Sequence, residues 1–229
     1  GGILVLNDTK SIVLYVLFCG VIPYLLGSLS FSTIVSKGIY HQDIRKFGSG
    51  NAGMTNVLRT FGKKAAALTI VGDIGKGVAA VLLVKWFFSM HFNDQIYHRG
   101  EVLGIYLAAF FAVIGHVYPL YFGFKGGKAV SVATGAIAAI EPLLLVPLVI
   151  IFFAVLFAGK MVSLSSVSCA AAYPILTLLY YWLCLGAAPS ITLTATVGAL
   201  IMAALVIWLH RGNISRIRAG TEYKFFQKK

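Results

Sequence analysis

The stretch 48–60 reads Gly-Ser-Gly-Asn-Ala-Gly-Met-Thr-Asn-Val-Leu-Arg-Thr, polar and glycine-rich inside a strongly apolar chain. Three glycines permit positive φ, so main-chain N–H groups can converge on an anion as they do in nests and at helix N-termini. Asn51, Thr55 and Asn56 add side-chain hydrogen bonds, and Arg59 adds a planar fork that matches phosphate. The chemistry that suits this pattern is binding of a phosphorylated small molecule. A plain glycine-rich turn at an interface fits the same stretch taken alone.

A second constellation runs from Gly115-His116-Val117-Tyr118-Pro119 to Phe124-Lys125-Gly126-Gly127-Lys128. Two lysines flank a glycine pair just before an apolar helix, so backbone amides, helix dipole and ammonium groups could act on one anion. Spacing and ending differ from a Walker A loop. Lysines at a membrane boundary that merely set topology give the same pattern. His116 by itself reads as a hydrogen-bonded packing histidine.

Asp73 and Lys76, three apart within an apolar run, share a helix face and can pair. Ionisable groups inside a membrane span are functional candidates, and a structural ion pair is the equal alternative. Ser28 marks a small-residue helix contact. Ser163, Ser165 and Ser166 follow Lys160 where a helix starts, which suits capping. His210 and Asn213, also three apart, face the same way on a helix that closes in a basic tail suited to anionic lipid.

The elements that must position these residues are membrane helices. Hydrophobic residues make up 59% of the chain, charged residues only 11%, and the mean hydropathy is +0.88. That is outside the range of soluble domains. The nineteen basic residues against seven acidic ones lie in short segments between apolar runs, which fits lipid headgroups and an anionic substrate rather than nucleic acid. Cys19, Cys169 and Cys184 fall in apolar runs without CxxC spacing and are expected to pack as small hydrophobes.

A span needs roughly 20 apolar residues. That template gives seven: 11–36, 64–90, 101–122, 129–140, 143–158, 164–185 and 191–210. The fourth and fifth could fuse into one helix, but Glu141-Pro142 argues for a break, with the charge at a membrane surface. The first run, 12–35, carries no cleavage-like site and reads as a retained helix. Fifteen of the nineteen basic residues fall in 37–64, 122–128, 159–163 and the tail after His210. The positive-inside rule then puts the N-terminus outside and the C-terminus in the cytoplasm, with every polar motif on the cytoplasmic face. We expect one membrane-embedded domain over 1–229, with 1–10 an extension or tag remnant, and no internal repeat.

Together these segments closely resemble the bacterial acyl-phosphate-dependent glycerol-3-phosphate acyltransferases, the PlsY family. The likeness runs from Pro23-Tyr24-Leu25-Leu26-Gly27-Ser28 through 48–59, Asp73-Ile74-Gly75-Lys76-Gly77, Gly115-His116-Val117-Tyr118-Pro119 and Phe124-Lys125-Gly126-Gly127-Lys128 to His210-Arg211-Gly212-Asn213, in order and spacing. It implies a seven-helix inner-membrane enzyme facing the cytoplasm that moves an acyl group from acyl phosphate to the 1-hydroxyl of sn-glycerol 3-phosphate. Phosphate and lysophosphatidic acid would be released. By position, Ser28, Asn51, Thr55, Asn56, Arg59, Lys128, Ser166, His210 and Asn213 match family residues that bind substrate or support catalysis.

On this reading Arg59, Lys128, Gly126 and Gly127 hold phosphate and stabilise developing charge. Asn51, Thr55, Asn56, His210 and Asn213 position glycerol 3-phosphate, and Ser28 and Ser166 line the site. Acyl phosphate is already activated, so the chemistry requires no cofactor and no metal. Direct transfer is preferred over an acyl-enzyme, with His210 or a substrate phosphate oxygen as the base. Met54 departs from the small residue the family often has, and the segment 90–100 is longer than expected. A transporter of small organic phosphates is the competing class, and it would call for polar residues at mid-membrane depth on several helices.

Overall fold

The computed structural model describes residues 9–91 and 99–225; most of the 1–10 extension and of the long 90–100 segment lies outside the described residues. All regular structure among them is helical. The order is α1 (Thr9–Val16), α2 (Ile22–Gly27), α3 (Phe31–Tyr40), α4 (Met54–Phe61), α5 (Lys63–His91), α6 (Arg99–Val117), α7 (Val130–Ile140), α8 (Leu145–Gly159), α9 (Val162–Leu179), α10 (Pro189–Leu209) and α11 (Arg211–Arg218).

Among the described residues, six stretches are long and apolar enough to cross a membrane: Ile12–Tyr40, Lys63–Met90, Gly100–Phe122, Pro142–Gly159, Val162–Cys184 and Pro189–Leu209. They fall within a few residues of six of the seven expected spans. The remaining one, α7, has 11 residues, a rise of about 16 Å and so about half of a hydrocarbon core. Large apolar side chains such as Val71, Trp86, Phe157, Trp182 and Leu183 are exposed along these helices, as lipid contact requires. Cys19 is buried as expected, but Cys184 is exposed.

The chain divides into two compact units, Gly1–Ile140 and Glu141–Lys229. In the first, small residues bring backbones together. A methyl group at Gly27 would collide with the Ala112 backbone, one at Gly77 with the Val132 carbonyl, and one at Gly135 with the Ile74 carbonyl. Helices α2 and α6, and α5 and α7, therefore approach as closely as glycine allows. The first span is not one continuous helix. A π-helical turn occupies Leu17–Val21, and helical structure stops after Gly27 and resumes at Phe31.

The long polar segment after α3 is anchored from below. Ile44, Val57, Val35 and Ala65 form a buried cluster against which Tyr40 and Phe61 pack, their rings stacked at 4.5 Å. In the second unit α9 carries Pro174 within its length and ends in a π-helical turn, Tyr180–Cys184. The break at Glu141-Pro142 is present, since a 3-10 turn over Pro142–Leu144 separates α7 from α8. Glu141, at that break, is 1% exposed and accepts a hydrogen bond from the Tyr173 hydroxyl at 3.2 Å, so its carboxylate is met by a protein donor.

Candidate active site

The first unit carries Ser28, Asn51, Thr55, Asn56, Arg59, Gly126, Gly127 and Lys128; the second carries Ser166, His210 and Asn213.

In the first unit, residues 48–53 form a turn that ends in Gly53, the cap of α4. Gly48 has φ +56 and Gly50 φ +71, left-handed conformations that a side chain would strain. Asn56 is 2% exposed, and its amide holds this turn together. Nδ2 donates to the carbonyls of Phe47 at 2.9 Å, Asn51 at 3.1 Å and Ile44 at 3.3 Å, while Oδ1 accepts from Ser49 N at 3.2 Å. The residue expected to position substrate thus has its amide committed to the loop's own backbone. Thr55 and Arg59 lie four apart on the short α4, on one face, with Arg59 exposed.

The second turn folds back on the end of α6. Gly126 N donates to Val117 O at 3.1 Å and Gly127 N to His116 O at 3.2 Å. These two amides, expected to face an anion, are engaged with main chain. The glycines serve close approach. A methyl at Gly126 would collide with the His116 carbonyl, and one at Gly127 with both the Ala52 carbonyl and the His116 imidazole. The two glycine-rich turns are therefore packed directly against each other, through Gly127 and Ala52. Lys128 follows two residues before α7 begins.

Arg45, not singled out from the sequence, ties the same two segments. Its Nη1 donates to the Phe122 and Lys125 carbonyls, and Nε and Nη2 grip Asp43 at 2.9 and 2.7 Å. The side-chain hydrogen bonds from Arg45 hold the Asp43 carboxyl well below the usual carboxylate range. Asp43, two residues earlier and capping a 3-10 turn, was the available signal.

Ser28 is fully buried at the break after α2, its hydroxyl donating to Tyr24 O at 2.9 Å. Asp73 and Lys76 form the expected pair, at 3.0 Å, and are buried. His116 joins them, its Nδ1 lying 2.9 Å from Lys76 Nζ.

In the second unit, His210 stands at the joint between α10 and α11, 4% exposed. Its Nδ1 lies 2.8 Å from Val206 O, and since a carbonyl only accepts, Nδ1 carries a proton. Nε2 is then the basic nitrogen of the neutral ring. Asn213 lies three residues on in α11, and its Nδ2 donates to Glu222 Oε1 at 2.7 Å. Ser163 donates to the same oxygen at 2.8 Å, and Arg216 Nε to Oε2 at 2.8 Å. Burial pushes the Glu222 carboxyl up, but the hydrogen bonds from Asn213, Ser163 and Arg216 together outweigh it and hold the group below its ordinary value.

Glu222 was missed as an organiser, although an acidic residue in a strongly basic tail is a visible departure. Ser165 and Ser166 do not cap α9. They bond back to the carbonyls of Met161 at 3.1 Å and Val162 at 2.9 Å, and the capping position is Met161.

The apolar helices, with two glycine-rich turns packed against each other, define an integral membrane protein. A family model described as glycerol-3-phosphate acyltransferase matches residues 17–220. A glycerol-3-phosphate acyltransferase of Clostridioides difficile (strain 630) is 41% identical over 209 residues, covering 91% of this chain and 95% of the relative. One from Burkholderia pseudomallei (strain K96243) is 39% identical, covering 93% and 97%. The crystal structure of PlsY (YgiH), an integral membrane glycerol 3-phosphate acyltransferase, in its glycerol 3-phosphate form superposes with a TM-score of 0.74 at 30% identity, covering 92% of this chain and 98% of that one. Its lysophosphatidic acid form gives 0.70 at 30% identity, covering 91% and 94%. The chain belongs to the glycerol-3-phosphate acyltransferase family, as a membrane acyltransferase.

Proposed function

We propose that this enzyme transfers a fatty acyl group from acyl phosphate to the 1-hydroxyl of sn-glycerol 3-phosphate, the first acylation of phospholipid synthesis. The hydroxyl oxygen attacks the acyl carbonyl carbon. The tetrahedral intermediate then breaks the bond to the phosphate oxygen, inorganic phosphate leaves, and lysophosphatidic acid forms. The hydroxyl proton passes to a base, and Nδ1–H of His210 donating to Val206 O favours its Nε2 for that role.

The observation that carries this reading is the packing of two glycine-rich turns against each other at Gly127 and Ala52, one leading into the helix that bears Arg59 and the other holding Lys125 and Lys128, since both substrates carry phosphate. Arg59 and Lys128 bind phosphate and stabilise charge as it develops. Asn51 and Thr55 contact glycerol 3-phosphate. Asn56, Gly126 and Gly127 shape the cradle, Asn213 orients the acceptor, and Ser28 and Ser166 line the site. The acyl tail stays in membrane lipid, and no cofactor or metal takes part. Support also comes from the PlsY crystal structures in glycerol 3-phosphate and lysophosphatidic acid forms.

The single membrane domain spans 1–229 and sits in a bacterial inner membrane with the site facing the cytoplasm. Seven crossings, with α7 as the fourth, alternate so that the basic segments 37–64, 122–128, 159–163 and the tail share one side. Six crossings would return both termini to one face and split those segments. The test of function is to incubate purified protein in lipid with acyl phosphate and glycerol 3-phosphate. Lysophosphatidic acid together with stoichiometric phosphate is expected; neither product appearing would overturn the reading.

A further inference from the structure

The first span is broken between Gly27 and Phe31, and the broken backbone faces a charge that reaches it from another helix. Lys76 Nζ, in the middle of α5, lies 2.8 Å from Gly27 O and 2.6 Å from Leu29 O, the carbonyls on either side of Ser28. Carbonyls at a helix end lack intrahelical partners, so a cation placed there satisfies them and meets the negative end of the dipole. Lys76 is 4% exposed, and Asp73 Oδ1 at 3.0 Å balances its charge. The third direction leads to α6, where His116 Nδ1 lies 2.9 Å from Nζ. Accepting there leaves the proton of a neutral His116 on Nε2, the atom that a methyl at Gly127 would strike. The backbone carbonyl of the same histidine accepts from Gly127 N at 3.2 Å. Gly115, one residue before, packs on Tyr24 O and Ser28 N too closely to admit a side chain.

We propose that Lys76 is a positioning residue, whose ammonium sets the Ser28 break and, through His116, the Gly126–Lys128 turn in fixed relation to each other. It touches neither substrate. The arrangement explains why a charge is kept at mid-helix depth in an apolar span, where an ion pair needed only for packing would be replaceable by apolar residues. It also separates Lys76 from Lys128: one ammonium is spent inward on protein carbonyls, and the other lies at the turn.

The inference rests on reading Ser28 and Lys128 as part of the site, so its test needs a readout independent of activity. Lys76→Met would be compared with wild type by hydrogen exchange and by steady-state kinetics in the same lipid. Because Lys76→Met strands the Asp73 carboxylate, the double variant Asp73→Asn/Lys76→Met, which removes both charges, serves where the single one does not fold. Exchange should rise in the segments 25–34 and 123–129 while α8 to α10 stay unchanged, and kcat/KM should fall at least tenfold. Kinetics within twofold of wild type, or a rise confined to one segment or spread over the whole chain, would overturn the proposal. Ser28→Ala and Lys128→Ala at wild-type rates would instead remove the site reading, with the exchange result still deciding what Lys76 holds.

Discussion

Asn213 and Glu222 are joined by a 2.7 Å hydrogen bond in which the amide Nδ2 donates to Oε1. That bond fixes which way the amide points, because only Nδ2 can donate to a carboxylate. The carboxylate is held in turn by Ser163 and Arg216, and its side chain is 7% exposed. The basic tail is thereby folded onto α9 and α11 through one acidic residue.

Glu222 is expected to make the enzyme acid-sensitive in a defined direction. Its folded carboxyl is held below the ordinary value of 4.5, so the ionised form contributes stability that is fully present above that pH and lost as pH falls through the lower folded value. Thermal unfolding followed from neutral pH down to about pH 3 should show a drop that Glu222→Gln reduces. The variant should also lower turnover at neutral pH through a misplaced Asn213. An unchanged acid profile in Glu222→Gln would locate the acid sensitivity elsewhere.

Arg59→Lys keeps the charge but loses the fork, and activity should fall about tenfold with folding intact, the equivalent of one charged hydrogen bond. For Lys128→Ala the expected loss is on the order of 100-fold, as for one removed donor at a developing charge. Initial rates against each substrate measure both. Near-normal turnover in the pair would leave these residues as topology determinants.

His210→Ala should reduce kcat by about 100-fold or more, the usual contribution of a positioned general base. Asn213→Ala should raise the KM for glycerol 3-phosphate more than it lowers kcat. Wild-type acceptor kinetics in both variants would remove these residues from the acceptor's surroundings.

Asn56→Ala strips the 48–53 turn of its internal donor. Leaving several buried carbonyls short of a partner should destabilise the protein by about 2 kcal/mol. A lowered melting midpoint in detergent, accompanied by lost activity, is the expected pair of observations. If the midpoint is unchanged, the turn is held by the Ile44 and Val57 cluster alone.

The proposed choice of acyl phosphate as donor is tested against the larger donors. A carrier protein needs an interface of about 800 Å² per partner, and CoA needs room for a nucleotide. The 41–53 segment between α3 and α4 is short, and Asn56 and Arg45 tie its backbone down. Labelled glycerol 3-phosphate supplied with each donor separately should give lipid product from acyl phosphate alone. Comparable product from acyl-CoA would contradict the donor assignment.

The amino-acid sequence by itself determined the membrane class, the positions of six apolar spans and the break at Glu141-Pro142, and it marked out the glycine-rich polar stretches as the departures from them. Each of these is written in local composition and periodicity, which act over neighbouring residues. It also placed Asp73 and Lys76 on one helix face. Tertiary structure alone decided what the polar groups do. Asn56 turned inward to hold its own loop, and the Gly126 and Gly127 amides found carbonyls on α6. Lys76 reached a broken helix 49 residues earlier in the chain, and Glu222 gathered Ser163, Asn213 and Arg216. The physical reason is that a hydrogen bond is decided over about 3 Å, while partners such as Lys76 with Gly27 and Ser163 with Glu222 lie 49 and 59 residues apart in the chain. Which donor meets which acceptor is settled only when the helices pack, in the first unit through glycines that let the backbones approach.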